Sequence, residues 1–227
     1  MKNSRLSLPA YRNYEYGYES AYKLACEHLA RVEDIKQQCL NCGAQYLEID
    51  SKKVITIEYL NQSYQIVLPD MEISLVDSQE EVPIRDKLLL LHYFIQAEGT
   101  SITNKTIAYK ELPEGANYFP TFAKRAIKPL LDHFGKEPHR LIDAAEKLGG
   151  HKVDCGDVAV TINAFHRVPI TIVLWRGDDE FTPEGSILFD STISDYLSTE
   201  DINVLCETLS WRLVKLLRAG GDTPDRS

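Results

Sequence analysis

The sequence predicts an α+β fold, in which an antiparallel sheet, made of an N-terminal meander and a C-terminal hairpin, packs with a buried central helix and amphipathic helices near both ends. Two patterns predict it: apolar residues recur every three or four positions near both ends, and they alternate with polar residues between 46 and 76 and between 158 and 164, before an apolar strand at 168–175. Of the 227 residues, 44% are hydrophobic, which is enough to fill a core. We expect a single domain over residues 14–218, with flexible termini at 1–13 and 219–227.

The first element is an amphipathic helix over residues 18–35, because its apolar residues follow the helical period. Gly43 comes soon after it and suits the exit of a helix. The apolar positions that define the helix are Tyr18, Ala21, Tyr22, Ala25, Leu29, Val32 and Ile35.

Four short strands follow as a meander. Turn residues such as Asn61-Gln62-Ser63 and Pro69-Asp70 separate them. The connections are too short for the crossovers that parallel strands need, so the strands are antiparallel. We expect them at residues 46–49, 54–60, 64–68 and 73–76.

A buried central helix is expected from Ile84 to Glu98. The segment is apolar on most sides, Pro83 stands at its start and Gly99 follows its end. Residues 100–112 alternate weakly and predict a hairpin around Asn104-Lys105.

The second half of the chain contains the C-terminal hairpin and further helices. The pattern from Phe119 to Phe134 is helical, but Pro129 is expected to break or kink the helix after Lys128. The other elements expected are a short helix at 141–148, strands at 158–164 and 168–175 joined at His166-Arg167, a brief strand at 187–189, and a last helix capped by Ser198 with Asp201 as its capping-box partner.

Composition opposes several classes of function. The net charge is −9 and no basic block is present, which argues against binding to a nucleic-acid backbone. We expect no signal peptide, because the first five residues, Met1 to Arg5, lead into no apolar region. We expect no membrane span, because the longest apolar run, Leu88 to Ile95, is too short for a bilayer. Five irregularly spaced cysteines do not suggest a disulfide framework, so we expect a cytoplasmic protein.

Two groups of residues have the composition of metal ligands. Cys39 and Cys42 have ligand spacing, and His151 with Cys155 would complete four ligands for zinc; the alternative is that the cysteines are small buried residues. The second group comprises the acids Asp178, Glu180 and Asp190, which could hold a hard cation, or else form a solvated turn with Asp190 as a cap. The common nucleotide-binding, Ser-hydrolase and zinc-protease motifs are absent from the sequence.

Two other groups have the composition of a small-molecule site. His92 and Tyr93 lie inside the apolar central helix, where the histidine is either a hydrogen-bonded core residue or a functional one. Glu111, Tyr118 and Arg125 fall in one aromatic-rich stretch, where an arginine and aromatic rings could hold an anionic ligand or could be ordinary core.

Several short motifs in order resemble the bacterial and archaeal family known as domain of unknown function 3786. They include KLLLLHYFIQAEG from Lys87 to Gly99, Leu148-Gly149-Gly150, PITIVLWRGDDEF from Pro169 to Phe181, and Leu188-Phe189-Asp190. The resemblance runs from about Tyr18 to Leu217 and implies an anaerobic setting, without established catalytic residues. Some members are labelled iron–sulfur proteins, but this chain has no four-cysteine cluster motif. Recurrent polar positions of the family match His92, Tyr93, Glu111, Tyr118, Arg125, Asp157, Asp178, Glu180 and Asp190.

The leading hypothesis is an accessory protein that binds a small, anionic ligand or cofactor. The pocket would be lined by the His92 helix, the stretch from Glu111 to Arg125, and the hairpin that ends at Trp175. The cofactor is not identified by the residues; a tetrapyrrole or corrinoid is suggested only by the anaerobic setting of the family. The alternatives are a metal-dependent enzyme that uses Asp178, Glu180 and His92, and a structural or partner-binding protein. The sequence does not indicate an oligomeric state.

Overall fold

The computed structural model describes residues 12–177 and 180–220 and confirms the α+β class. The helices are α1 (Arg12–Leu29), α2 (Ile35–Cys42), α3 (Ile84–Gln96), α4 (Gly115–Phe122), α5 (Lys128–Phe134), α6 (Arg140–Glu146) and α7 (Thr199–Gly220). The strands are β1 (Gln45–Ile49), β2 (Lys52–Tyr59), β3 (Gln62–Leu68), β4 (Glu72–Leu75), β5 (Thr106–Ala108), β6 (His151–Val153), β7 (Val158–Phe165), β8 (Val168–Trp175) and β9 (Glu184–Asp190).

The strands form two antiparallel sheets, whereas the sequence analysis placed the meander and the hairpin in one. The meander is a sheet of order β1-β2-β3-β4, and the hairpin belongs to a second sheet of order β5-β9-β8-β7-β6. A backbone hydrogen bond of 2.9 Å from Leu60 to the carbonyl of Ala164 links the two. The ladder does not continue there, because Leu60 and Asn61 turn with positive φ values of 47° and 61° and β7 is irregular between Asn163 and Phe165.

The N-terminal helix predicted over 18–35 is in fact two helices. α1 ends at Leu29, and Asp34 caps the start of α2 by accepting a hydrogen bond of 2.9 Å from the backbone N–H of Gln37. The expected exit at Gly43 is confirmed, since this residue adopts a left-handed φ of 72° after α2. The sequence pattern did not predict the break between α1 and α2, because apolar residues continue at helical spacing across it.

The expected buried central helix is confirmed as α3. Leu88 to Leu91 are all buried in it, together with Phe94. Buried residues from both sheets and from α1 to α7 form one continuous cluster around it. Within the described ranges, no helix is both long and apolar enough to cross a bilayer.

Two predictions about the middle of the chain were wrong. Residues 100–112 do not form a hairpin: β5 pairs with β9, so the partner of this strand is distant in sequence. The helical pattern expected over 119–134 begins earlier, and its irregularity is a π-helical turn at 123–127 rather than a break after Lys128. Pro129 falls in the first turn of α5, where its missing N–H costs little, so the irregular turn precedes it.

The remaining predictions agree with the structure in outline. β7 and β8 form the expected hairpin, and α7 begins after Ser198, whose hydroxyl accepts a hydrogen bond of 3.1 Å from the backbone N–H of Asp201. The expected flexible termini lie mostly outside the described residues. Where they are described, Arg12 and Asn13 begin α1 and residues 219–220 end α7.

A buried ion pair holds α3 and α7 together. Asp86 on α3 contacts Arg212 on α7 at 2.8 Å, and the side chains are only 6% and 23% exposed. The hydroxyl of Tyr59 also donates to Asp86 at 3.2 Å, and its ring lies under the Arg212 guanidinium. These contacts fix the relative position of α3 and α7, which both contribute lining residues to a cleft.

Candidate functional site

A cleft of about 370 Å³ lies between α1, α3, the π-helical turn and the N-terminal end of α7. This volume is in the range of small-molecule sites. Its walls are partly apolar and partly charged. The lining residues are Gly17, Tyr18, Ala21, Arg85, Leu88, Leu89, His92, Arg125, Ser198, Glu200, Asp201, Asn203 and Val204.

The spacing of the lining residues follows from helical geometry. Arg85, Leu88 and His92 are separated by three and four positions, so they project from one face of α3. The leucine is buried, while the residues at either end of this row carry polar groups that reach the cleft. On the α1 side the lining includes Gly17, which has no side chain, and Ala21, whose side chain is a single methyl group. These small residues leave space for the cleft.

His92 is held by a buried carboxylate. Its Nδ1 lies 2.7 Å from Oδ1 of Asp201, and the side chains are 28% and 9% exposed. The hydroxyl of Ser198 donates to the other carboxylate oxygen at 2.6 Å. Burial by itself raises the pKa of Asp201, but the hydrogen bond and charge of His92 and the hydrogen bonds from Ser198 outweigh it, so the pKa lies below its usual value. Asp201 is therefore an ionised acceptor that orients the imidazole ring.

Arg125 reaches the cleft from the π-helical turn. Its Nη2 lies 3.2 Å from Oε2 of Glu207, and the same oxygen lies 2.8 Å from Nη2 of Arg85. One partly buried carboxylate on α7 therefore orients two guanidinium groups from different helical segments. The π turn itself is supported by Ser210, whose hydroxyl donates to the carbonyl of Ala126 at 2.8 Å.

Asn203 adds an acceptor to the same wall. Its Oδ1 is buried and has no hydrogen-bond partner among the described residues. An unsatisfied buried oxygen is costly, so such an atom in a cleft is an acceptor for a hydrogen-bond donor, either water or a ligand.

The structure brings together only some of the residues that the sequence analysis singled out. His92 and Arg125 line the same cleft. Tyr93, next to His92, points the other way into the core, where it is fully buried and its hydroxyl donates to the carbonyl of Cys42 at 2.6 Å. It cannot reach a ligand in the cleft, because neighbouring positions on a helix lie on different faces.

Glu111, Tyr118 and Trp175 do not line the cleft. The carboxylate of Glu111 accepts a hydrogen bond of 2.7 Å from the backbone N–H of Ala108, a local contact that ends a strand. Tyr118 is 56% exposed on α4, and Trp175 is 40% exposed at the end of β8. Tyr118 therefore does not provide an aromatic ring to this cleft, where the aromatic lining residue is Tyr18.

The cysteine group does not form a metal centre in the described structure. Burial raises the pKa of the Cys39 thiol to about 11 and that of Cys42 to about 12, which opposes the thiolate form that zinc requires. His151 and Cys155 are exposed on or beside β6 instead. No group of three or more His, Cys, Asp and Glu side chains among the described residues is arranged to hold a metal.

The acidic group is also divided. Asp178 lies outside the described residues, and Glu180 lines a separate open groove beside Phe181. Asp190 is buried and accepts hydrogen bonds from the hydroxyls of Thr192 at 2.8 Å and Thr103 at 3.0 Å. Burial alone raises the pKa of Asp190, but these hydrogen bonds outweigh it and lower the pKa. Asp190 therefore caps the segment that follows β9, as the alternative interpretation expected.

Sequence reasoning missed several residues of the site. Asp201 was recognised only as a capping partner, and Arg85, Asn203 and Glu207 were not singled out. Arg85 left a signal, since it stands seven residues before His92 on the same face of a predicted helix. Glu207 gave no signal in the sequence, because an acidic residue on an amphipathic helix does not indicate that two arginines contact it.

Fold and site together define an α+β protein with two antiparallel sheets and a cleft lined by helices. The chain belongs to the family described as Domain of unknown function (DUF3786), whose model matches residues 34–212. That range contains the whole cleft except the wall contributed by α1. Neither the curated proteins nor the solved structures include a significant match to the chain.

Proposed function

We propose that the chain is a small-molecule-binding protein and that the cleft between α1, α3 and α7 holds a ligand with an acid group. One observation carries the proposal: Arg125 and His92, which come from distant segments, line the same partly apolar cleft of about 370 Å³. Small-molecule sites combine such a volume with apolar walls and a few convergent polar groups.

Arg125 is the residue proposed to contact the acid group. A guanidinium has five N–H donors in a planar fork, which suits a carboxylate or phosphate. The ion pair with Glu207 involves Nη2 and fixes the orientation of the group. The side chain is 33% exposed, so solvent or a ligand can approach it.

The apolar part of the ligand would contact α1 and α3. Leu89 is buried in that wall, and Ala21 and Leu88 extend it. Burial of a few methylene groups against this wall stabilises a complex by about 0.8 kcal/mol for each group. A small acid with a short hydrocarbon body therefore fits better than a free inorganic anion.

The experiment is a thermal-shift screen with acetate, propanoate, succinate, citrate and glycerol phosphate at constant ionic strength. A ligand at about one hundred times its Kd stabilises a fold by about 2.7 kcal/mol, which corresponds to about 5–10 °C in Tm for a chain of this size. We expect at least one acid to stabilise the protein and Arg125→Gln to abolish the shift.

The matched control is Arg140→Gln, which makes the same change at an arginine of α6 that pairs with Glu137 at 3.3 Å and does not line the cleft. This variant should keep the full shift. Equal shifts in the wild type and Arg125→Gln, or no shift with any acid, would contradict the proposal.

A second candidate function is acid–base catalysis at the same cleft, favoured by the short contact between Asp201 and His92. A carboxylate that accepts a hydrogen bond from Nδ1 orients the imidazole, as in the arrangement of a general base. The test is exchange of carbon-bound hydrogen of a bound acid in deuterated water, followed by NMR. His92→Gln should retain binding and lose exchange; absence of exchange in the wild type would exclude this candidate for that acid.

A further inference from the structure

The wall of the cleft on α7 is rich in acceptors. Oδ1 of Asn203 is buried without a partner among the described residues. Glu200, one turn earlier on the same helix, adds a carboxylate to the lining. A ligand that carried only an acid group would leave the Asn203 oxygen unsatisfied.

His92 presents an acceptor as well. Asp201 is an ionised carboxylate and can only accept, so the short contact of 2.7 Å requires Nδ1 of the imidazole to donate. When the imidazole is neutral, hydrogen on Nδ1 leaves none on Nε2, and Nε2 is then an acceptor. This nitrogen makes no hydrogen bond to any residue in the described part of the chain, although His92 lines the cleft.

We propose that the ligand is a small acid that also carries a hydroxyl or N–H group, and that this group donates a hydrogen bond to Nε2 of His92 or Oδ1 of Asn203. This inference rests on the proposed function and narrows it to hydroxy acids and related acids with a donor. Arg125 would contact the acid group, while the acceptors on α3 and α7 select the donor. Asp201 is a positioning residue, because it acts through the imidazole and fixes which nitrogen carries the hydrogen.

The experiment compares pairs of acids that differ by one hydroxyl, namely 2-hydroxysuccinate with succinate and 2-hydroxypropanoate with propanoate, by titration calorimetry. A site with unpaired buried acceptors discriminates against the analogue that lacks the donor. We expect the hydroxylated member to bind at least about tenfold more tightly, as one well-made hydrogen bond allows.

Variants separate the two ends of the site. Arg125→Gln should weaken both members of a pair by the same factor and leave their ratio unchanged. Asn203→Ala and His92→Phe should each reduce the ratio of the affinity for the hydroxylated acid to that for its analogue. In the double variant this ratio should approach one. Asn117→Ala, at an exposed asparagine of α4, should leave affinities and ratio as in the wild type.

Nitrogen NMR of the wild-type protein shows which ring nitrogen of His92 carries the hydrogen. Because no substitution is needed, a folding defect cannot affect this measurement. We expect neutral His92 to carry its hydrogen on Nδ1, and Asp201→Asn to reduce that preference. A neutral ring with hydrogen on Nε2 would overturn the inference.

The outcomes distinguish the two proposals. Equal affinities within each pair, with loss of binding in Arg125→Gln, overturn the donor inference and leave the proposed function intact. Absence of binding, or binding that does not depend on Arg125, overturns the proposed function and this inference with it.

Discussion

Replacement of Asp201 by asparagine tests the central contact of the cleft without a large change in volume. The carboxylate is 9% exposed and accepts two short hydrogen bonds, of 2.7 Å from His92 and 2.6 Å from Ser198. Hydrogen bonds to charged groups contribute about 1.5–3 kcal/mol each, and the amide retains part of this, so we expect a loss of about 2 kcal/mol at pH 7. The Tm should fall by about 4–8 °C.

The loss should depend on pH in a defined direction. The pKa of Asp201 is lower in the folded protein than in the unfolded chain, where it is about 3.9. The carboxylate therefore stabilises the fold above that pH, and this contribution is lost as the pH falls through the folded-state pKa. The difference between wild type and Asp201→Asn should be complete at pH 7 and should shrink below about pH 4.

The assay is urea unfolding followed by tryptophan fluorescence at several pH values between 7 and 3. The matched control is Asp132→Asn, which removes an acid that pairs with Lys128 at 2.7 Å on the surface, where the side chains are 49% and 60% exposed. That pair should contribute less than about 0.5 kcal/mol. Equal stability of wild type and Asp201→Asn at pH 7, or a difference that persists unchanged at pH 3, would refute the reasoning.

Two other predictions concern the core. Burial raises the pKa of Cys39 to about 11 and that of Cys42 to about 12, so both thiols should resist a disulfide reagent at pH 8 in the native protein. Cys155 is exposed and should react at once. Rapid reaction of Cys39 or Cys42 in the native protein, located by peptide mapping, would contradict this prediction. Gly43→Ala should lower the free energy of unfolding by about 2 kcal/mol or more. The reason is that φ at this position is +72° and the new Cβ would lie 2.1 Å from the ring of His166. Denaturant unfolding measures the change, and an unchanged free energy of unfolding would contradict the prediction.

Local pattern was sufficient for most of the secondary structure. The meander, α3 and the hairpin of β7 and β8 were predicted because their periods of two or near four are properties of a single segment. The boundary between α1 and α2 was not predicted, since apolar residues continue at helical spacing across it. The pairing of β5 with β9 was missed for a different reason, because it joins segments about eighty residues apart and leaves no local pattern.

The candidate site was predicted only in part. His92 and Arg125 stood out because an ionisable residue in an apolar helix and an arginine among aromatic rings are unusual locally. The aromatic neighbours of Arg125 proved misleading: the π turn directs Arg125 towards α7, while Tyr118 on α4 stays exposed. Asn203 had no distinguishing local context, and its importance depends on a buried, unpaired oxygen that only coordinates reveal.

By itself the sequence determined the α+β class, the order of its main elements and the membership of a family, because periodicity and short motifs are read along the chain. The tertiary structure decided that there are two sheets and that His92 meets Asp201 while Arg125 and Arg85 share Glu207. The physical reason is that hydrogen bonds and ion pairs between side chains depend on distances of about 3 Å in space. Residues far apart in sequence reach such distances only when the packed core sets the positions of the helices that carry them.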